Sequence, residues 1–136
     1  MSRVFVDTNL FLRYLTNDDP AKADRVEQLL NQAAVGEVHL VTAEMVLAET
    51  VWVLESSYGL ARAQVAPLLR GILATPGLEV LNGSLVARAL DHYETLNIDF
   101  VDGYIAAVME KQGIDELYSF DKKHASRLKG VRRREP

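Results

Sequence analysis

Short apolar runs and longer amphipathic stretches alternate along the chain. The short runs are rich in β-branched and aromatic residues, which is typical of buried strands. They comprise residues 4–6, 38–41, 78–81 and 117–120, with a short fifth candidate at 131–132. The longer stretches repeat their apolar residues at helical spacing. They predict helices over residues 10–15, 21–34, 42–58, 61–74, 84–96 and 101–112.

Capping and helix-breaking residues separate these elements. Residues 17–19 lead into Pro20, which suits the first turn of a helix. Thr42 is expected to cap the long helix that ends before Gly59. Strands that alternate with helices of this length predict an α/β class, here a three-layer α/β/α sandwich with a mainly parallel sheet of four to five strands.

Length and composition indicate one globular domain over residues 1–136. Hydrophobic residues make up 49% and charged residues 25%, and there is no cysteine. The absence of cysteine excludes a disulfide scaffold, thiol catalysis and thiolate metal sites. The first apolar run meets Asp7 after three residues, too soon for a signal peptide, and no run approaches the ~20 apolar residues of a membrane span. We therefore expect a cytoplasmic protein without membrane contact.

Charge is distributed unevenly about the net value of −4. Residues 1–121 hold 8 Lys+Arg and 18 Asp+Glu, whereas residues 122–136 hold 7 Lys+Arg and 1 Glu. An acidic body does not resemble a general nucleic-acid binder. Nucleic acid stays compatible with it if bound cations neutralise some of the acids. The basic end is interpreted either as a contact surface or as a solvated tail.

Several carboxylates occupy positions where ligands collect in parallel sheets. Asp7 and Asp121 each follow a predicted strand, and ligands bind beyond the carboxyl ends of such strands. Asp99 and Asp102 stand three apart at a predicted helix start, where one can cap and the other act. Gly103 beside them permits the close approach of a ligand or of another backbone. The structural alternative is that Asp7 only caps the next turn.

Glu49 stands among apolar residues of its predicted helix. Its neighbours three and four positions away are Met45, Val46, Trp52 and Val53. A carboxylate within an apolar stripe is costly unless it is paired or hydrogen-bonded. Glu49 is thus a candidate for metal or substrate contact, unless a distant arginine satisfies it or its face is exposed. Trp52 is expected in the core.

Four carboxylates from separate segments would form one cluster if the strands that end at Asp7 and Asp121 were neighbours. The other two are Glu49 and Asp102. A carboxylate cluster favours divalent cations, and oxygen ligands suit Mg²⁺ or Mn²⁺. The three histidines show no ligand spacing with one another, so a structural zinc site is not expected. The sequence also lacks a serine nucleophile elbow and a glycine-rich phosphate loop.

Four motifs in order resemble the PIN-domain ribonucleases, and among them the VapC-type toxins of toxin–antitoxin pairs. The motifs are residues 6–9, 48–49, 102–107 and 119–121. This resemblance covers essentially the whole chain and implies a PIN-like sandwich. It also implies a catalytic, metal-binding quartet and polar residues beside it. The quartet would be Asp7, Glu49, Asp102 and Asp121, and the supporting residues Thr8, Asn9 and Ser119.

The resemblance implies a metal-dependent endoribonuclease that uses Mg²⁺ or Mn²⁺, forms a homodimer and is blocked by an antitoxin protein. Residues 10–15 would either contact that antitoxin or form a core helix. His124 stands where relatives usually carry an aromatic residue. The residues expected to contact the RNA backbone are Lys122, Lys123, Arg127, Arg132, Arg133 and Arg134.

Two other functions are compatible with the same residues. A non-catalytic PIN-like binding module would have an eroded quartet, and all four acids are present. An aspartyl phosphatase would use Asp7 as its nucleophile, but such enzymes need a second aspartate where Asn9 stands.

Overall fold

A computed structural model of the protein describes residues 2–136, which form two compact units, one ending at Gly83 and the other Ser84–Pro136. Strands and helices alternate in both units. The first contains β1 (Arg3–Phe5), α1 (Thr8–Thr16), α2 (Pro20–Ala34), β2 (His39–Ala43), α3 (Glu44–Ser56), α4 (Arg62–Leu73) and β3 (Leu78–Leu81). Helix α5 (Gly83–Thr95) begins at the last residue of the first unit and otherwise belongs to the second, which also contains α6 (Phe100–Gln112), β4 (Glu116–Tyr118), α7 (Lys122–Ala125) and β5 (Arg132–Arg134).

All strand pairs are parallel, which confirms the predicted α/β class. In the first unit the order is β1–β2–β3, and Leu40 of the central strand pairs with Val4 on one side and Leu78 on the other. In the second unit β4 pairs with β5. The strand that leads to Asp7 and the strand that leads to Asp121 therefore belong to different hydrogen-bonded ladders.

The start of α1 is fixed by the end of the first strand. The Val6 amide donates to the carbonyl oxygen of Val41 at 2.8 Å and so extends the ladder one residue beyond β1. The Asp7 carboxylate then accepts the Thr8 amide at 2.6 Å as the N-cap of α1. This places Asp7 at the carboxyl end of its strand, as the sequence predicted.

Thr42 was expected to cap α3, and this prediction is wrong. Thr42 lies within β2, and α3 begins at Glu44 after Ala43, which makes no side-chain cap bond. The fully buried Thr42 hydroxyl instead donates to the Val6 carbonyl oxygen at 2.9 Å. Since a buried hydroxyl needs a partner, Thr42 fastens the central strand to the residue that precedes Asp7.

The second unit is built on a close approach of α5 and α6. The side chains of Val86, Leu90 and Tyr93 on α5 are fully buried. Tyr93 packs edge to face against Phe100, with ring centroids 6.4 Å apart. A Cβ on Gly103 would lie 2.7 Å from the carbonyl oxygen of Ala89. The glycine beside Asp102 therefore admits another backbone, one of the two possibilities that the sequence allowed.

Helix boundaries agree closely with the sequence pattern, whereas every strand except β3 differs from its predicted bounds by one or two residues. Asp19 caps α2 and Pro20 opens it, and Gly113 ends α6 in the left-handed conformation. The fourth strand ends at Tyr118 instead of residue 120, so Ser119 lies in the turn beyond it. Among the helices of residues 2–136, none has the length and apolar character needed to cross a membrane.

We expect Gly103→Ala to destabilise the protein, because the new Cβ would overlap the Ala89 carbonyl and one helix would have to move. Gly71 in α4 is the matched control, since a Cβ there meets nothing within 4 Å. Gly71→Ala should stabilise the helix by roughly 0.5–1 kcal/mol. Urea unfolding measures both variants, and equal midpoints would contradict the close helix contact.

Candidate metal and catalytic site

Two of the four predicted acids meet at one imidazole in the second unit. The Nδ1 atom of His124 lies 3.1 Å from Oδ2 of Asp102 and 3.1 Å from Oδ2 of Asp121. The three side chains line a small pocket of about 160 Å³ with Ile105 and Leu117. The imidazole is therefore placed between two carboxylates, where its protonated form pairs with both.

Asp99 and Asp102 have different roles at the start of α6. The Asp99 carboxylate accepts the Asp102 amide at 2.8 Å and caps the helix. Asp102 stands in the first turn, with its side chain directed to His124. One ligand atom from each of Asp99, Asp102 and His124 lies within 4.8 Å of the others. The sequence left open which aspartate caps, and the structure assigns that role to Asp99.

Asp121 is held by the turn that follows β4. Its amide donates to the Ser119 hydroxyl oxygen at 3.0 Å, and its Oδ1 accepts the His124 amide at 3.1 Å as the N-cap of α7. Arg133 donates to the Ser119 carbonyl oxygen at 2.8 Å. Ser119 thus orients the backbone from which the Asp121 carboxylate reaches His124.

The two carboxylates have opposite electrostatic environments. Burial raises the pKa of Asp102, and the nearby charge of Asp99 raises it further, against a smaller lowering by His124. The backbone N–H of His124 lowers the pKa of Asp121, and the imidazole adds to this effect. The charged form of Asp102 is thus disfavoured by its surroundings and that of Asp121 is favoured.

Asp7 and Glu49 lie in the first unit and are both exposed. Glu49 was considered as a carboxylate within an apolar stripe, but its face of α3 points outward. Met45 is 77% exposed and Trp52 66% exposed, so the prediction that Trp52 belongs to the core is wrong. The buried face of α3 consists of Leu47, Thr50, Val51 and Leu54. Within residues 2–136 Glu49 forms no ion pair, and an exposed carboxylate needs none.

The supporting residues predicted around Asp7 differ in exposure. Thr8 is buried at the first position of α1. Asn9 is exposed one residue further along the same helix. Thr8 therefore has a structural role at the start of α1, whereas the Asn9 side chain is accessible to a ligand.

The arginines of the basic end are engaged in pairs within their own unit. Arg132 pairs with Asp115 at 3.3 Å, and Arg134 pairs with Glu116 at 3.2 Å and lies over the Tyr118 ring. Arg127 donates to the Asn97 carbonyl oxygen. Lys122 and Lys123 are exposed on α7. Much of the charge that the sequence places in this segment is consequently balanced by neighbouring acids.

His124 is the residue that sequence reasoning left without a role. It follows Asp121 by three positions, and residues three apart face the same side of a helical turn. That spacing was a usable signal, but His124 was interpreted only as a residue that stands where relatives usually carry an aromatic one. Thr42 was missed for another reason, because its hydroxyl acts through tertiary contact with Val6.

Comparison with known proteins agrees with the motifs and the fold. The sequence model of the PIN domain matches residues 4–130. The chain belongs to the PIN domain family. No protein with curated annotation matches the sequence. Among solved structures, this PIN domain is similar to Mycobacterium tuberculosis VapC20, described as a sarcin-ricin loop cleaving toxin, with 26% identity over 90% of this chain and 93% of that chain and a TM-score of 0.41.

Removal of the Asp102 charge is expected to stabilise the metal-free PIN domain at neutral pH. The folded pKa of Asp102 is raised, so the carboxylate penalises folding at pH values above that pKa, and the penalty vanishes below the ordinary value of 3.8. Asp102→Asn should therefore increase the free energy of unfolding at about pH 7 and change little at about pH 3.

Asp121→Asn is the matched comparison, and its expected change in the free energy of unfolding has the opposite sign. The lowered pKa of Asp121 contributes stability above its ordinary value of 3.8, and that stability is lost as the pH falls through the folded pKa. The variant should lose a little stability at neutral pH, since asparagine still caps a helix well. Urea unfolding at both pH values would contradict the assignment if the two variants shifted in the same direction.

Proposed function

We propose that this PIN domain protein is a metal-dependent endoribonuclease and the toxin of a toxin–antitoxin pair. The observation that carries the proposal is the convergence of Asp102 and Asp121 on His124, with Asp99 beside them, in a member of the PIN domain family. The family resemblance adds Asp7 and Glu49 as acids of the same reaction. A continuous family match across residues 4–130 also supports one nuclease domain.

The donor set in the second unit fits a divalent cation. Carboxylate oxygens suit Mg²⁺ and Mn²⁺, and an imidazole nitrogen is accepted by the softer of the two. Burial and the Asp99 charge raise the pKa of Asp102, so its charged form lacks sufficient positive charge nearby. A divalent ion would supply that charge. Asp102 and Asp121 would hold the ion.

The chain's own residues provide placement and proton transfer. A divalent ion, when bound, supplies a Lewis acid for the phosphate and lowers the pKa of water. Ser119 and the cap bond from His124 orient Asp121. Thr42 and the Val6 carbonyl fix the strand end that carries Asp7. Glu49 is exposed, and either Glu49 or Asp102 would accept the proton of the attacking water.

Protein partners belong to the same proposal. Within residues 10–15, Phe11 and Leu12 are buried in the core, whereas Tyr14 is 44% exposed. Met45 and Trp52 are instead exposed on α3, beside Glu49. Exposed large apolar side chains in one patch are typical of protein interaction sites. They support a partner surface on α3 for the homodimer or the antitoxin. A cytoplasmic location remains a prediction.

The central test compares three aspartate variants in RNA cleavage with Mg²⁺ or Mn²⁺. Asp7→Asn and Asp102→Asn should lower cleavage by orders of magnitude, because each loses a charge while keeping its size. Asp7→Asn also keeps the oxygen that accepts the Thr8 amide. Asp99→Ala should cost about 0.5–2 kcal/mol of stability, with cleavage largely retained.

Two outcomes would contradict these assignments. An inactive Asp99 variant together with an active Asp102 variant would reverse the two roles. Hydrolysis of p-nitrophenyl phosphate without RNA cleavage would favour a phosphatase. Melting temperatures measured for each variant separate loss of folding from loss of chemistry.

Metal binding is expected to stabilise the folded protein. An ion that binds only the folded state adds about 2.7 kcal/mol when its concentration is one hundred times its dissociation constant. Asp102→Asn should lose most of this gain. Glu37→Gln removes one negative charge from an exposed position and is the control that should keep it. Thermal unfolding with Mn²⁺ and with EDTA measures the difference, and an equal gain in both variants would place the ion elsewhere.

A further inference from the structure

A basic pocket lies in the first unit, on the helix that begins after Asp7. It occupies about 470 Å³ between α1 and α2. Arg13, Lys22 and Arg25 line it, and they are three of the six Lys and Arg residues in positions 1–83. We call it the α1–α2 pocket. Its cation content contrasts with the excess of acids in the rest of the unit.

The pocket begins close to the end of α1 that carries Asp7. Asn9, two residues after Asp7, is one of its lining residues. Arg13 follows Asn9 by four positions and thus lies one turn along the same face of α1. The rise between them is about 6 Å. A ligand in the pocket would consequently extend from the predicted catalytic edge of this unit along α1.

Arg13 is held in place by a hydrogen-bonded acid. Asp18 accepts Nη1 of Arg13 at 3.1 Å, the Tyr58 hydroxyl at 2.6 Å and the Thr16 hydroxyl at 3.1 Å. The bond from Tyr58 is the main cause of the lowered pKa of Asp18, so this acid stays charged. A guanidinium has five N–H donors, and pairing at Nη1 leaves others for a second anion. The Arg13 side chain is therefore held in position, and some of its N–H donors stay available to a ligand.

The two cations from α2 are less constrained. Lys22 lies 3.8 Å from Asp19, the cap of its helix. Arg25 is exposed, and within residues 2–136 it forms no ion pair. Asp18 and Asp19 balance much of the charge of Arg13 and Lys22. Arg25 therefore supplies the uncompensated positive charge of the pocket.

We propose that the α1–α2 pocket binds a backbone phosphate of the RNA substrate. The inference rests on the proposed ribonuclease function. Arginine matches phosphate oxygens through its planar fork of donors, and lysine adds a point charge. Leu10, Val26 and Leu29 form the apolar walls of the pocket and would contact the sugar or base attached to that phosphate.

With this assignment, RNA contact is expected at the α1–α2 pocket instead of at the C-terminal arginines. Arg132 and Arg134 pair with acids of β4 and its preceding turn, so replacing them breaks existing pairs before it affects any ligand. Arg25 has no such pairs to lose. An acidic segment of a protein partner is a different ligand, and the experiment below separates it from RNA.

Arg25→Gln is the decisive variant, and Lys111→Gln is its control. Lys111 is an exposed cation in the last turn of α6, and its replacement changes the net charge equally. Binding of a fluorescein-labelled single-stranded oligoribonucleotide is measured by anisotropy across a range of salt concentrations. All proteins carry Asp102→Asn, so that the RNA stays intact. Competition with an oligoglutamate peptide of the same charge forms the second arm.

Arg25→Gln should weaken RNA binding and reduce the slope of log K against log salt by about 0.7, the value for one lost phosphate contact on a single strand. Lys111→Gln should leave the slope unchanged. On the active background, Arg25→Gln should raise KM with little change in kcat, as expected for a contact made equally in the ground and transition states.

Equal slopes for Arg25→Gln and Lys111→Gln would overturn the phosphate assignment. The assignment would also be overturned if the protein bound oligoglutamate more tightly than RNA and Arg25→Gln removed that preference. The pocket would then bind an acidic protein segment. Failure of the proposed function looks different. In that case the protein without Asp102→Asn cleaves no RNA with Mg²⁺ or Mn²⁺, whatever the slopes show.

Discussion

The position of His124 between Asp102 and Asp121 determines how the acidic side chains of the candidate site are arranged. Two carboxylates that approach one point repel each other, and an imidazole that can carry a positive charge offsets this repulsion. Several local features serve the arrangement. Asp99 caps α6 so that Asp102 emerges in its first turn, Ser119 shapes the turn before Asp121, and Gly103 lets α6 approach α5. Asp99 and Ser119 thus fix the backbone that carries the two carboxylates, and Gly103 sets the packing of the helix that carries one of them.

Much of the architecture could be predicted from local pattern. Residues 78–81 were placed as a strand with the observed bounds, and the helix starts at Asp19 and Asp99 follow from side chains that cap within three residues. The end of α6 at Gly113 follows from the left-handed backbone that glycine adopts readily. These features depend on interactions within one turn, and a single sequence contains all of that information.

Features that depend on tertiary contact were predicted less well. Thr42 has the side chain of a helix cap, but its hydroxyl finds a partner on a neighbouring strand. On α3, apolar residues occur nearly all round the helix, so periodicity could not identify the outward face with Met45 and Trp52. The pairing of Asp102 with His124 joins residues 22 positions apart, and nothing in the local pattern indicates it. The motifs of the family were enough to predict which acids belong to the site. The side chains that surround those acids could be identified only from the structure.

The composition of β5 has a consequence for how the protein behaves at high concentration. This strand consists of three arginines and has β4 as its hydrogen-bonded neighbour. The edge strand of a sheet presents unpaired amide and carbonyl groups, which makes it a template for association with strands of other molecules. Long ion-paired side chains at such an edge oppose the approach of a second copy through the cost of dehydrating them and of breaking pairs such as Arg132 with Asp115. The arginine strand thus protects a short sheet from aggregation, a benefit independent of any ligand.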